Sequence, residues 1–396
     1  MRVEDKQHVG FSSREPFGLL LILSTPSCLE QIGMGLPEKI RAIEEEMKRT
    51  QVHKHTEHHV GLLKAKLAKL RAEQEHSQGS RQGGAGFELK KGGDVTAVLI
   101  GLPSVGKSTI LNSLTNAKSK VAPYAFTTLT VVPGLLEHQG ARIQILDLPG
   151  IISGAATGTG RGKRVLSVAK NADLIILVLD VFQPDQLSVL RKELYEIGIR
   201  LNTQPPNVTI NKSAEGGLGI TATRPLTHLT ESTARAILNI YKINHGNVVI
   251  REDITDDQLI DLVAGNRRYI SSITVLNKID LVSPRFVSEA RKRVGEDLIP
   301  ISADRNINID KLKEALYDRL RLIKVYLKPR NGAPDFEEPL IVTAGSTISD
   351  VCLKIHRKFA GEAKYALVSG SSVRFSPQRV GMDHVVQDRD IVTIVK

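Results

Sequence analysis

Tryptophan is absent from this chain of 396 residues, cysteine occurs only at Cys28 and Cys352, and aromatic residues make up 4% of the composition. Two cysteines are too few for a disulfide framework or a cysteine-rich zinc site, so we expect two buried apolar thiols. No run approaches the ~18 consecutive apolar residues of a membrane span, and the longest N-terminal run, Leu19 to Leu23, is shorter than the core of a secretory signal. These absences favour a cytoplasmic protein without membrane contact.

Positive charge is in excess. Lysine and arginine number 54 against 43 aspartate and glutamate, for a net charge of +11, and 41% of the residues are hydrophobic. The hydrophobic content is enough to fill cores, the length allows two to four domains, and the charge favours an anionic partner.

Changes in hydrophobic periodicity predict the domain organisation. Residues 1–33 show neither helical nor strand periodicity and predict an unstructured extension. Residues 34–92 predict a helical hairpin and linker, with the second helix from about Thr56 to Glu75 and a flexible segment from Ser77 to Gly86.

Two sets of basic residues are candidates for RNA contact. For the set on the second helix we favour a solvated face over RNA, and for the C-terminal set the two interpretations are balanced. The residues are Lys64, Lys66, Lys69 and Arg71 in the first set, and Lys354, Arg357, Lys358, Lys364, Arg374 and Arg379 in the second.

Histidines cluster at the turn of the hairpin, at positions 53, 55, 58 and 59. His55 and His59 have the i, i+4 spacing that grips a metal, but no carboxylate or thiol completes a tight set, so we favour a site without metal.

Short continuous apolar runs predict a doubly wound, mostly parallel α/β domain at residues 93–322. The runs are Val95 to Ile100, Ile143 to Leu146, Leu174 to Leu179 and Ile273 to Leu276. The stretch between the second and fourth runs is about twice what two βα units of about 30 residues require. We therefore expect an inserted α+β subdomain at about residues 182–250.

A phosphate-binding loop follows the first strand and precedes a helix from Thr109 to Leu114. The residues match G-x-x-x-x-G-K-[ST] and are Gly101, Leu102, Pro103, Ser104, Val105, Gly106, Lys107 and Ser108, followed by Thr109. The glycines let backbone N–H groups wrap the phosphates, Lys107 neutralises their charge, and the Ser108 hydroxyl is placed to bind Mg²⁺.

A magnesium shell and a contact to the terminal phosphate are predicted at Asp147 and Gly150, which lie at the end of the next strand. The preceding loop carries Phe126, Thr127 and Thr128. We choose Thr128 over Thr127 as the hydroxyl that completes the metal sphere.

Asn277, Lys278 and Asp280 end a later strand and predict the base that is bound. The Asp280 carboxylate can accept hydrogen bonds from N1–H and the 2-amino group of guanine, donors that adenine lacks, so it selects GTP over ATP. A further strand end, with Ser302, Ala303 and Asp304, supplies backbone groups for the guanine carbonyl.

Slow intrinsic hydrolysis is expected because Ile151 follows Gly150, where a glutamine would orient the attacking water. The glycine-rich loop from Ser153 to Arg164 is expected to be mobile and ordered by nucleotide or partner. Positioning of the water by a monovalent cation such as K⁺, or by a partner residue, stays open.

The last segment, residues 323–396, predicts a β-grasp order of strands and one helix. Its strands are expected at Ile323 to Leu327, Leu340 to Val342, Tyr365 to Val368 and Asp390 to Val395, with a helix from Ser346 to Phe359.

Taken together, these motifs resemble the developmentally regulated GTP-binding (DRG) family, a branch of the Obg-like GTPases, and its type 1 subgroup more than its type 2 subgroup. Stretches that carry the resemblance are His58-His-Val-Gly-Leu-Leu-Lys-Ala-Lys-Leu67, Phe126-Thr-Thr-Leu-Thr130, Asp147-Leu-Pro-Gly-Ile-Ile152 and Ser376-Pro-Gln-Arg-Val-Gly381.

The resemblance implies an N-terminal helix-turn-helix, an S5D2-like insertion in the G domain, and a C-terminal TGS domain. It also implies hydrolysis of GTP to GDP with Mg²⁺, a role on ribosomes in translation, and a DRG-family regulatory protein as partner, while DNA binding is not expected. By the same route Ser108 and Thr128 become the Mg²⁺ ligands. Together with the chemistry of the motifs above, we expect Lys107, Thr128, Asp147 and Gly150 to form the catalytic set. A scaffold that binds RNA or the ribosome and scarcely hydrolyses GTP is the alternative, whereas Asp280 disfavours an ATPase.

Overall fold

The computed structural model describes residues 35–51, 53, 56–79, 92–115, 132–148, 168–294, 298–356 and 361–395. It divides into two compact units, one formed by the N-terminal helices with residues 207–264, the other by residues 92–206 and 265–395 as far as they are described. Among the helices of these residues, none is long and apolar enough to cross a membrane.

The helices and strands are numbered separately in chain order. The helices are α1 Leu36–Arg49, α2 Glu57–Gly79, α3 Lys107–Leu114, α4 Gln186–Glu196, α5 Glu231–Ile240, α6 Asp256–Ala264, α7 Pro284–Val294, α8 Ile309–Leu320 and α9 Ile348–Ile355. The strands are β1 Val95–Ile100, β2 Val132–His138, β3 Ala141–Asp147, β4 Leu174–Asp180, β5 Ile199–Leu201, β6 Val208–Lys212, β7 Leu218–Ala222, β8 Gly246–Ile250, β9 Arg268–Asn277, β10 Leu298–Pro300, β11 Leu322–Leu327, β12 Leu340–Thr343, β13 Tyr365–Ser369, β14 Gln378–Val380 and β15 Ile391–Val395.

The main sheet has the order β10-β9-β4-β1-β3-β2, with β5 pairing the start of β9. All its neighbours run parallel except β2, which is antiparallel to β3. Apolar side chains cover both faces, and alternate residues of β1 serve two separate cores. The doubly wound α/β prediction is confirmed, and the carboxyl ends of β1, β3, β4, β9 and β10 share one edge.

The other unit joins the hairpin of α1 and α2 to a three-stranded sheet of order β6-β8-β7. Small residues of α2 pack with α5 and α6 in the core of this sheet. We predicted the insertion at about 182–250, whereas the segment that packs here is 207–264. The bounds differ because α4 packs on the main sheet and β5 pairs with β9.

Most of the basic residues of α2 bond to carboxylates or carbonyl oxygens of their own unit, which corrects the expectation of a solvated face. Lys64 Nζ lies 3.3 Å from Asp256 Oδ2 and 3.0 Å from Asp257 Oδ2. Lys69 Nζ donates to a carbonyl at the end of α5 at 2.8 Å, and Arg71 donates to Glu44 at 2.8 Å, both still within the unit. Lys66 is exposed as expected.

The C-terminal strands form a sheet of order β12-β11-β15-β13-β14 over α9. β14 was not predicted, and α9 ends at Ile355, within the longer helix expected there. Cys352 is fully buried in this core, and burial raises the pKa of its thiol. The prediction of a buried thiol is confirmed at Cys352, whereas Cys28 lies outside the described residues.

Candidate functional site

The loop between β1 and α3 passes so close to its neighbours that two positions require glycine. A Cβ on Gly101 would lie 2.5 Å from the carbonyl oxygen of Val178. Gly106 has a φ of +93°, and a Cβ there would come well within 3.0 Å of the Asn277 amide nitrogen. Val105 is buried in the core and anchors the loop, while Leu102 packs against that core. Pro103, Ser104, Ser108 and Thr109 are exposed at this edge.

Lys107 is the first residue of α3, and its ammonium lies back over the loop. Its Nζ donates to the carbonyl oxygens of Gly101 at 3.1 Å and Leu102 at 2.9 Å. Burial lowers the pKa of this lysine, and the nearby charge of Asp147 opposes that effect. A buried cation held by carbonyl oxygens at a helix N-terminus suits an anionic phosphate chain.

Asp147 ends β3 beside Ser108. The Ser108 hydroxyl donates to Asp147 Oδ2 at 2.5 Å. Oδ1 of Asp147 is buried and has no hydrogen-bond partner within the described residues. Burial raises the pKa of the Asp147 carboxyl against the effects of Ser108 and Lys107. The Ser108 hydroxyl lies beside a carboxylate that has one unsatisfied oxygen. This pair of groups fits the oxygen ligands and the water shell of Mg²⁺.

Asn277 ends β9 and ties two loops together. Its amide nitrogen donates to the carbonyl of Val105 at 2.9 Å, and its amide oxygen accepts from the backbone N–H of Ala303 at 3.1 Å. The side chain is buried, so both bonds are protected from water. The phosphate loop, the end of β9 and the loop after β10 are therefore held as one edge.

Asp280 lies in a short 3₁₀ turn after β9. A hydrogen bond from the Ser302 side chain and the nearby charge of Arg305 lower the pKa of the Asp280 carboxyl, whose Oδ2 lies 3.6 Å from Arg305 Nε. An ionised carboxylate can accept both donors of guanine. Ser302 is buried and its backbone pairs with Ile307, whereas Asp304 is exposed.

Several predicted residues cannot be compared with the structure. Phe126, Thr127, Thr128 and Gly150 lie outside the described residues, as do the following Ile151 and the loop from Ser153 to Arg164. Their roles stay predictions. The structure brings together the remainder of the predicted set: the loop residues, Asp147, Asn277, Lys278, Asp280 and the segment from Ser302 to Asp304.

The histidine cluster is split among different partners. His58 Nδ1 lies 2.9 Å from the Thr233 hydroxyl, and His59 Nε2 lies 3.1 Å from Glu46 Oε1. His55 is outside the described residues, and within them no group of three or more metal-ligating side chains occurs. Nothing described here therefore favours a metal at the hairpin turn.

Comparison with known proteins gives three family matches along the chain. A model described as a 50S ribosome-binding GTPase matches residues 96–212, a model of the C-terminal region of that domain matches 215–322, and a TGS domain matches 323–396. An uncharacterized GTP-binding protein of Methanocaldococcus jannaschii is 54% identical over 365 residues, covering 91% of this chain and 93% of that protein. Developmentally-regulated GTP-binding protein 2 of Homo sapiens is 46% identical over 365 residues, covering 92% of this chain and 100% of that protein. The chain belongs to the developmentally regulated GTP-binding family.

The chain therefore has the P-loop G domain and the C-terminal TGS domain that the sequence predicted, and membership of this GTPase family implies binding of a guanine nucleotide. GTP-binding protein 1 of Schizosaccharomyces pombe is also similar, at 50% identity over 364 residues, 91% of this chain and 99% of that protein. Assignment to the type 1 subgroup stays a prediction.

Two side chains of the candidate site were missed by sequence reasoning. Asp180 ends β4 and pairs with Lys278, and Arg305 lies next to Asp280. Asp180 had a detectable signal, because it ends an apolar run just as Asp147 does. Arg305 had no detectable signal in the sequence, because only the turn that follows β10 brings it next to Asp280.

Proposed function

We propose that this protein hydrolyses GTP to GDP and phosphate as a ribosome-associated switch in cytoplasmic translation. The proposal rests on one arrangement. Lys107 and the Ser108–Asp147 pair lie at the phosphate loop, and the ionised Asp280 lies at the base end of the same sheet edge. A guanine nucleotide has its negative charge at one end and its donors at the other, so the charges of the site match it in order.

At the phosphate end, the buried Lys107 ammonium neutralises charge on the outer phosphates. Mg²⁺ would be held by Ser108 and, through its water shell, by Asp147, with Thr128 as the predicted further ligand. When bound, the ion neutralises charge that develops on the phosphates. The unsatisfied Asp147 Oδ1 gives such a shell an acceptor that the described residues do not fill.

At the base end, Asp280 provides selectivity. Each oxygen of its carboxylate can take one guanine donor, whereas adenine would leave the carboxylate facing no donor. A site built to accept such bonds rejects a ligand that lacks them by large factors. The nearby Arg305 cation supports the ionised state that this recognition needs.

The link to ribosomes is supported by the description of the family model that matches residues 96–212 and by the net charge of +11. A cationic surface favours association with RNA. A DRG-family regulatory protein is the proposed protein partner, implied by the family resemblance.

A second candidate function is a scaffold that binds GTP with negligible hydrolysis. Ile151 favours it, because no glutamine follows Gly150 to orient the attacking water. Under the first proposal, the water would be positioned by K⁺ or by a residue of the partner.

Mg²⁺-dependent GTP turnover separates these two functions. Wild type would be measured beside Lys107→Ala and the control Lys311→Ala, an exposed lysine on α8, in potassium and in sodium, with and without ribosomes. The proposal expects slow turnover that the Lys107 variant loses and the control keeps, and ribosome stimulation supports the translational role. If wild type binds GTP yet matches Lys107→Ala in every condition, the scaffold is the function. Equal rates in potassium and sodium would eliminate the K⁺ version.

Asp280→Asn tests base selection. We expect GTP affinity to fall by about 100-fold or more with ATP affinity little changed, since one acceptor becomes a donor that faces guanine donors. Asp185→Asn is the matched control, an exposed aspartate near the end of β4. An unaltered ratio of GTP to ATP affinity would refute the role of Asp280.

A further inference from the structure

Lys278 has a strained backbone and two short side-chain bonds. Its φ of +69° is in the left-handed region, which costs a residue with a Cβ about 1–2 kcal/mol. Its Nζ donates to the carbonyl oxygen of Ser104 at 2.8 Å and to Asp180 Oδ2 at 2.7 Å. The bond to Ser104 places the end of this side chain against the phosphate loop.

Asp180 is oriented for this contact before any ligand arrives. It is the last residue of β4 and is paired in register with Asn277 on β9. Its other oxygen, Oδ1, accepts from the backbone N–H of Phe182 at 2.9 Å, so both oxygens of the carboxylate are committed. Only 17% of the Asp180 side chain and 31% of the Lys278 side chain are exposed, so solvent screens the pair less than a surface pair.

The ion pair joins the two halves of the nucleotide site. Ser104 belongs to the phosphate loop and itself has a φ of +63°, whereas Lys278 belongs to the loop that carries Asp280. Asn277, the residue before Lys278, makes a second tie to Val105, the residue after Ser104. A guanine nucleotide binds one half of the site with its base and the other half with its phosphates. Once one end is bound, binding of the other end is intramolecular, and its affinity is higher when the two halves are already held at the right distance.

We propose that Asp180 is a positioning residue for guanine-nucleotide binding: by anchoring Lys278 over the phosphate loop, it holds the base and phosphate half-sites in register and lengthens the residence of GDP and GTP. This inference rests on the proposed function only in taking GTP and GDP as the ligands, and it requires no hydrolysis.

Asp180→Asn keeps the shape of the side chain and one acceptor for Phe182 but removes the charge that holds Lys278. Asp185→Asn, five residues along the chain, is the control. The measurement is the dissociation rate of a fluorescent GDP and a fluorescent GTP analogue from the full chain, with Mg²⁺. We expect both nucleotides to leave about tenfold faster from Asp180→Asn, the factor that corresponds to losing one charge-assisted bond, and the control to match wild type.

A double-mutant cycle with Lys278→Met shows whether Asp180 acts through Lys278. If it does, adding Asp180→Asn to the Lys278→Met variant leaves the nucleotide dissociation rate unchanged. The unfolding temperatures of the Lys278→Met variant and of the double variant should then also differ little. A merely structural role would instead speed dissociation by the same factor in both backgrounds.

Two results would overturn the inference: an Asp180→Asn rate equal to that of wild type, or an undiminished effect in the Lys278→Met background. Failure of the proposed function looks different: if GTP and GDP are not the ligands, wild type binds them no better than ATP, and if only hydrolysis is absent, wild type binds GTP without turnover while the effect of Asp180→Asn on dissociation remains.

Discussion

Alanine at Gly106 would bring a methyl group against the Asn277 amide, and its cost can be worked from the structure. The backbone φ of +93° is left-handed and would cost alanine about 1 kcal/mol. The methyl group would also lie well within 3.0 Å of the amide nitrogen, so Asn277 must move and lose its bond to Val105. Loss of a buried hydrogen bond costs about 1–3 kcal/mol, for a total of about 2–4 kcal/mol.

Gly345→Ala is the matched control because Gly345 has nearly the same φ, +92°, with nothing within 4 Å of the position of its Cβ. The assays are chemical unfolding and the affinity for fluorescent GDP. We expect the control to lose about 1 kcal/mol of unfolding free energy and keep its affinity, and Gly106→Ala to lose about 2–4 kcal/mol and at least tenfold in GDP affinity. Equal losses in the two variants, with GDP affinity kept in both, would refute the close approach to Asn277.

The remaining predictions concern stability. Lys64→Gln leaves Asp256 and Asp257 without their cation and should lower the unfolding free energy of the N-terminal unit by about 1–2 kcal/mol in denaturant titrations. Burial lowers the pKa of Lys64, but the carboxylates of Asp257 and Asp256 outweigh it and hold this pKa above its ordinary 10.5. The stabilisation that the charged lysine supplies is therefore fully present from neutral pH up to pH 10.5 and is lost as pH rises through the raised pKa. A difference between wild type and variant that shrinks between pH 7 and 9 would contradict this pairing. Cys352→Ser places a hydroxyl at a fully buried apolar position and should cost about 1–3 kcal/mol, which an unchanged unfolding temperature would exclude.

Structural elements that are determined by neighbouring residues were predicted from the sequence, whereas elements that depend on pairing with distant strands were missed. Val95 to Ile100 was predicted from its apolar run alone and is β1, because a central parallel strand is buried on both faces. β2 was missed because Val132–His138 contains proline and glycine, and its residues are half exposed at the sheet edge. β14 has only three residues and is fixed by pairing with β13.

The candidate site divides in the same way. The phosphate loop is a local string whose chemistry is set by neighbouring residues, so sequence spacing predicts it. The ties from Asn277 to Val105 and from Lys278 to Asp180 join residues about a hundred or more positions apart. Such pairs depend on strand order and register, which no local pattern contains.

The number of basic residues in a sequence is a better guide to solubility than to which residues contact a partner. The reason is again that a basic residue can pair with a group that is distant in sequence. A lysine is available to bind RNA only if its ammonium group is not already bonded to a carboxylate or a carbonyl oxygen of the folded chain. Lys64 pairs with Asp256, 192 residues away in sequence, and Lys354 Nζ lies 3.1 Å from Oδ1 of Asp94, which is also far away in sequence. A net charge of +11 thus favours an anionic partner, but the basic residues that would contact it must be chosen from exposed positions such as Lys66 rather than from the most basic stretch of sequence.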